Sequence, residues 1–205
     1  MRYIISVIVA SFLLVSCSNE RLANPSQYVN PFIGASTNTG LAGTYHGMGK
    51  TFPGATTPYG MVQVSPQTIT GGDNSSGYSY EHKTIEGFAF TQMSGVGWYG
   101  DLGNFLTMPT TGKLQLIAGR EDGSMQGYRS LYDKSSEEAS AGYYCATLTD
   151  YNIKAEATAA SHSGILRFTY PANSQSRIQI DLARRVGGTS TTQYIQVKDK
   201  HAIRG

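Results

Sequence analysis

The residues best suited to chemistry crowd the front half of the chain. Between residues 30 and 112, Tyr, Trp, Asn, Gln and Asp recur among Gly, Ser and Thr. These are side chains that grip sugars. An aromatic face stacks on the apolar C–H face of a pyranose, while amides and carboxylates hydrogen-bond to vicinal hydroxyls. Trp98, the only tryptophan, lies in Gly97-Trp98-Tyr99-Gly100, where neighbouring glycines leave its ring little local cover. Asp101, between Gly100 and Leu102, could accept sugar hydroxyls or equally cap a turn. Taken one at a time these aromatics read as core residues; the cluster as a whole reads as a sugar contact.

Other chemistries find little support. No CxxC, HExxH or other compact metal-ligand spacing occurs, and none of the four His pairs with another at helical spacing. No GxGxxG follows a strand and opens a helix. Cys145 lies in an alternating strand pattern, which reads as a buried inert thiol rather than a nucleophile. The formal net charge of +2 and the absence of clustered Lys/Arg give no footprint for nucleic acid. Eight of the 14 acids (Glu81, Glu86, Asp101, Glu121, Asp122, Asp133, Glu137, Glu138) lie mid-chain. Nearly all adjoin turn residues or other charges and read as solvated surface.

The first residues stand apart from the fold. Arg2 supplies a positive start, and Ile4 to Val15 form an apolar run too short to span the roughly 30 Å of membrane hydrocarbon. The run ends in Leu14-Val15-Ser16-Cys17, which is similar to the lipobox of bacterial lipoproteins. There the cysteine thiol receives a diacylglycerol, the peptide is cut before it, and the new N-terminus is acylated. The alternative is an ordinary secretory signal with an incidental cysteine. Residues 1–17 are therefore assigned as a lipoprotein signal peptide, and 18–27 as a polar tether. Cys17 is the lipidation site, on a bacterial lipoprotein anchored at the periplasmic or outer face. With Cys17 acylated, Cys145 has no disulfide partner, so stability must come from packing.

The elements that would position the sugar-gripping residues are strands. With 205 residues, 40% hydrophobic and only 15% charged, and with 24 Gly and 14 Tyr, the chain is no helical bundle and not disordered. Segments 59–66, 113–117, 143–149, 152–158, 164–170, 177–182 and 193–198 have strand character. In the last three, Leu166, Phe168 and Tyr170 share a face, as do Ile178, Ile180 and Leu182, and Ile195 and Val197. Turn residues separate them. Strands at this spacing without 3.6-residue periodicity predict an all-β fold, a large antiparallel β-sandwich. Only Ser135 to Ala141 could start a short helix.

Several blocks resemble the glycoside hydrolase family 92 mannosidases. Asn30-Pro31-Phe32-Ile33-Gly34 and Thr51-Phe52-Pro53-Gly54-Ala55-Thr56-Thr57-Pro58-Tyr59-Gly60-Met61-Val62-Gln63 look like that family's opening. Ser76-Gly77-Tyr78-Ser79-Tyr80, Gly87-Phe88 with Thr91, Ser94-Gly95, Gly100-Asp101 and Met108-Pro109-Thr110-Thr111-Gly112 continue it in order. Glu138-Ala139-Ser140, Gly142-Tyr143-Tyr144 and Ile153-Lys154-Ala155-Glu156 follow. The resemblance runs from about residue 28 to the end and assigns 28–205 to the N-terminal β-sandwich domain, a supersandwich of galactose-mutarotase-like type.

The resemblance implies a two-domain, calcium-dependent, inverting exo-α-mannosidase that trims terminal mannose from N-glycans or mannan. The general acid, the general base and most Ca2+ ligands then belong to an (α/α)6 domain that this sequence lacks. The chain reads as truncated after Gly205. An inverting glycosidase needs two carboxyl groups roughly 6.5–9.5 Å apart with water between them, so the chain alone is expected to be inactive. Carried over by position, the substrate-binding residues are Asp73, Ser75, Tyr78, Tyr80, Gln92, Ser94, Gly95, Trp98, Tyr99 and Asp101. The implied partners are mannose-containing glycans, the (α/α)6 domain and, through Cys17, a membrane.

The sequence also departs from the family pattern. Gly72, Ser75, Ser79, Phe90, Gln92 and Lys50 stand where many members carry Trp, Cys or His, and Gly40 to Gly49 is longer than the common form. These departures favour a mannoside linkage other than α-1,2. Two other classes stay open: a non-catalytic carbohydrate-binding surface lipoprotein, and the remnant of a broken gene.

Overall fold

The computed structural model describes residues 24–38, 50–68, 76–94, 102–172, 174–187 and 190–205. Apart from a short 3-10 turn at Pro25–Tyr28, capped by the Asn24 side chain, its regular structure is all strand. No helix among these residues is long and apolar enough to cross a membrane. The strands are β1 (Ser65–Gln67), β2 (Thr84–Ile85), β3 (Gly87–Ala89), β4 (Leu106–Thr110), β5 (Ser130–Ser140) and β6 (Tyr143–Leu148). They continue as β7 (Ile153–Ala159), β8 (Gly164–Thr169), β9 (Arg177–Asp181), β10 (Gln196–Val197) and β11 (Ile203–Arg204).

Two antiparallel sheets form the sandwich, ordered β1-β3-β4-β9 and β2-β5-β6-β7-β8, with β10 and β11 as a separate hairpin. Alternation explains how they pack. In β7, Ile153, Ala155 and Ala157 turn inward, while Lys154 is exposed on the opposite face. They meet Tyr144, Ala146 and Leu148 of β6 and, across the sandwich, Val64, Phe88 and Met108. Phe88 bridges the layers, its ring 6.4 Å from Tyr144 and 6.0 Å from Phe168. Leu166, Phe168 and Tyr170 pack on this core as their shared face predicts, and Cys145 is buried.

The Thr51-to-Gln63 block is a structural edge. Ala55 and Val64 exchange backbone hydrogen bonds of 2.8 and 3.0 Å. Gly54 lies so close to the facing chain that a β-carbon there would fall 2.2 Å from the Val64 carbonyl oxygen. Thr51 Oγ1 donates to the Ile33 carbonyl at 2.8 Å, tying this block to the Asn30-to-Gly34 block.

Three expectations are corrected. Ser135–Ala141 starts no helix, because residues 135–140 belong to β5. Its pairing with β6 steps from Asp133↔Thr147 to Glu138↔Cys145, so five steps along β5 match two along β6. Residues 134–137 form the resulting bulge, and local side chains satisfy its backbone. Asp133 Oδ1 accepts from the Ser135 amide at 2.8 Å, and Ser136 Oγ accepts from the Thr147 amide at 2.9 Å. Such serine and aspartate bonds compete with regular ladders, which is why the stretch imitates a helix start. Second, residues 113–117 are not a strand, and Leu114, Leu116 and Ile117 are exposed. Third, the mid-chain acids are not all surface. Glu86 is fully buried, and the Glu137 side chain is only 2% exposed.

Candidate sugar-binding site

The β5 bulge aims two side chains of opposite charge in one direction. Lys134 Nζ lies 2.8 Å from Glu137 Oε2, a pairing across three residues that a regular strand would split between faces. Glu137 Oε1 accepts from the hydroxyls of Tyr78 and Tyr144, both at 2.8 Å. Lys134 Nζ also donates to Tyr78 Oη at 3.0 Å. It sits 4.3 Å from the Tyr80 ring centre, 4.8 Å from that of Tyr132 and 5.3 Å from that of Tyr78. Cation–π attraction of this kind contributes about 0.5–2 kcal/mol per contact. Burial first, and Glu137 next, push the Tyr78 and Tyr144 hydroxyls well above the ordinary phenol range. Both therefore remain protonated donors.

The N-terminal segment closes the other wall. Asn30 Oδ1 accepts from the Phe32 amide at 3.0 Å, turning the chain so that Phe32 meets Tyr80 edge-on, with ring centres 5.9 Å apart. Glu81 clamps this segment to the 79–81 turn. Its carboxylate accepts from the Ser36 hydroxyl, from the Thr37 amide at 2.9 Å and from the Ser79 hydroxyl at 2.9 Å. Burial pulls the Glu81 carboxyl up, but these hydrogen bonds outweigh it and hold the group at about 2. The cavity between the walls measures about 310 Å³ and is lined by Asn30, Phe32, Ser36, Tyr80, Lys134 and Glu137.

This arrangement suits sugar binding. An open aromatic edge, an amide, a hydroxyl and an ammonium are what a sugar ring needs for stacking and hydroxyl contacts. Among the described residues the lining carries one carboxylate, Glu137, already engaged by three donors. Calcium fits poorly as well. The ion takes about six to eight oxygen ligands, yet no three His, Cys, Asp or Glu group together among the described residues. Glu81 and Glu137 are instead filled by protein donors.

The structure sorts the residues singled out from the sequence. Tyr80 lines the cavity and is half exposed, whereas Tyr78 lies fully buried behind it as a support for Glu137 and Lys134. Gln92 is buried elsewhere, its amide donating to Gln67 Oε1 at 3.2 Å. Ser94 is exposed, its amide bonded to Gln63 Oε1 at 3.1 Å. Neither lines this cavity. Asp73, Ser75, Gly95, Trp98, Tyr99, Asp101 and the lipidation candidate Cys17 lie outside the described residues. Sequence reasoning missed Phe32, Lys134 and Glu137 as site residues. The Lys134-Ser135-Ser136-Glu137 run held the signal for the last two, and reading it needed the bulge.

Comparison with known proteins now decides the family. The model of the glycosyl hydrolase family 92 N-terminal domain matches residues 28–205. The chain belongs to glycosyl hydrolase family 92, as an N-terminal domain. Among solved family 92 structures, it is 42% identical to the α-mannosidase BT3965 of Bacteroides thetaiotaomicron, with a TM-score of 0.71 over 78% of this chain. The complex of that mannosidase with mannoimidazole gives 41% identity and a TM-score of 0.72 over 80% of this chain. The inverting mannosidase BT2199 of the same organism shares the fold at 24% identity, with a TM-score of 0.60 over 76% of this chain. An uncharacterized secreted glycosidase of Arthroderma benhamiae is 31% identical over 137 residues, or 65% of this chain and 17% of that protein. The chain spans 20% of BT3965, so this family 92 domain corresponds to about a fifth of its relatives' length.

Proposed function

We propose that this chain is the carbohydrate-contacting N-terminal part of a calcium-dependent, inverting exo-α-mannosidase acting on terminal α-mannosides of N-glycans or mannan. The observation that carries it is the 42% identity with an α-mannosidase of which the chain covers only a fifth. The Phe32–Tyr80 cavity, which can hold a sugar ring but has no free carboxylate pair, agrees with a division of labour. In this reading the acid, the base and the calcium ligands lie in the (α/α)6 domain of the longer protein, and the chain by itself is inactive. Any calcium would be held by residues of that domain, and the residues described here would contact the sugar.

Export and anchoring through lipid on Cys17 complete the proposal. They rest on the apolar run ending at that cysteine and on the secreted character of the Arthroderma relative. The intact mass of the native protein from its source membrane tests both parts. The expected mass lies several-fold above the 22.1 kDa of these 205 residues and includes lipid on Cys17. A mass equal to residues 17–205 plus lipid would instead favour the non-catalytic sugar-binding lipoprotein.

A further inference from the structure

A second polar groove opens on the other side of the 79–82 turn. Its wall is the loop from Gly119 to Gly127, closed by the Arg120 amide on the Met125 carbonyl at 2.9 Å and the Tyr128 amide on the Ile117 carbonyl at 2.8 Å. Two cavities of about 480 and 420 Å³ share Arg120, Glu121, Asp122, Met125 and Arg129. They form one trough, from Thr68 and His82 at one end to Leu131 and Asp150 at the other.

Its floor is built, not incidental. The Arg129 side chain is only 9% exposed and lines both cavities. Its Nη1 donates to Thr84 Oγ1 at 2.8 Å, and its Nη2 lies 3.3 Å from Glu86 Oε2. The buried Arg129 Nε has no hydrogen-bond partner among the described residues. A buried donor left unpaired costs about 1–3 kcal/mol. Arg184 Nε lies 3.7 Å from the same Glu86 oxygen. Burial holds His82, at the trough's end, toward its neutral form. Its Nδ1 lies 3.2 Å from Thr68 Oγ1.

Charge decides the ligand class. Three guanidinium groups (Arg120, Arg129, Arg184) and three carboxylates (Glu121, Asp122, Asp150) line the trough, while the buried Glu86 behind it pairs with Arg129 and Arg184. An anion would meet the acidic rim, and a cation would meet the arginines. A neutral polyol can donate to the carboxylates and accept from the guanidinium groups at once.

We propose that this trough binds a neutral oligosaccharide chain, as a site separate from the Phe32–Tyr80 cavity and able to hold the arm of a branched glycan beyond its terminal sugar. The choice of a glycan rests on the sugar-binding reading of the chain; the site itself does not. The test uses the native protein with calcium chelated, so that the probes are not hydrolysed, with an α-linked mannotetraose and methyl α-mannoside as probes, in wild type and in the double variant Arg120→Ala with Glu121→Gln. Calorimetry should show mannotetraose affinity falling about tenfold in the variant, as expected for one or two lost charge-assisted hydrogen bonds. Methyl α-mannoside binding should not change. Hydrogen exchange in wild type should show protection of 119–127 by mannotetraose. Unchanged affinity together with unprotected 119–127 amides would overturn the site, and tighter binding of a phosphorylated mannotetraose would overturn the neutral ligand. Protection at 119–127 in a protein that hydrolyses no mannoside would leave the trough standing and remove only the enzyme reading.

Discussion

Replacing Glu137 by alanine is expected to lower folding stability by about 3–5 kcal/mol, the range for breaking a buried, hydrogen-bonded ion pair from one side. Two tyrosine hydroxyls and one ammonium share this carboxylate, and its side chain is only 2% exposed. Removing it strands the hydroxyls of Tyr78 and Tyr144, both fully buried. Lys134, with a third of its side chain exposed, can turn toward solvent. Lys134→Ala should therefore cost much less, about 1 kcal/mol, because Glu137 keeps both tyrosine donors. Glu137→Gln, which retains an acceptor oxygen, should fall between the two. For a domain of this size each kcal/mol moves the melting temperature by about 2–4 °C, so Glu137→Ala should melt about 6–20 °C below the wild type. Thermal unfolding followed by circular dichroism checks the order. A melting point for Glu137→Ala within a degree or two of wild type would mean that the network does not hold the bulge.

Gly54→Ala should be nearly as damaging, for a different reason. The added β-carbon meets backbone rather than side chain, falling 2.2 Å from the Val64 carbonyl oxygen and 2.7 Å from Ser65 Cα. No rotamer change can relieve that clash. The 51–63 block must move off β1, losing the paired bonds between Ala55 and Val64. Overpacking costs about 1–3 kcal/mol, and each lost hydrogen bond adds about 1 kcal/mol, giving about 3–5 kcal/mol. Gly112 supplies the control. A β-carbon there meets nothing within 4 Å, and only its left-handed φ of +73° opposes alanine, at about 1–2 kcal/mol. Denaturant titration of the two variants should separate them by about 2 kcal/mol, with Gly54→Ala the weaker. Equal losses would show that close approach at Gly54 is not what fixes this block.

The sandwich was legible wherever strands carry their own signal. Residues 143–149, 152–158 and 164–170 alternate strongly, and β6, β7 and β8 fall within a residue of those bounds. The expected strand over 193–198 shrinks to β10, and Ile195 and Val197 are exposed rather than buried. Local pattern gives no access to β5, because Asp133, Ser135 and Ser136 bond to nearby backbone and hide an eleven-residue strand behind a helix-like sequence. It also misplaces Glu86, whose burial depends on the distant Arg129 and Arg184, and Glu137, which is buried only once the bulge turns it toward Lys134, Tyr144 and the distant Tyr78.

The site was legible in its types more than in its members. Tyr80, singled out from the sequence, lines the cavity, but its partners Phe32 and Lys134 lie 48 and 54 positions away and meet it only once the Glu81 clamp and the β5 bulge have formed. Gln92, also singled out from the sequence, is buried with its amide on Gln67 and does not line this cavity.

Hydrolysis by the native protein, compared with residues 17–205 alone, is the most direct measurement. Proton NMR of an α-mannobiose digest reads both rate and stereochemistry. The expected result is β-mannose as the first product of the native protein, lost on chelation of calcium, and no turnover by residues 17–205. Turnover by residues 17–205 alone, α-mannose as the first product, or no hydrolysis of any α-mannoside by a native protein of several times this chain's mass would contradict the assignment.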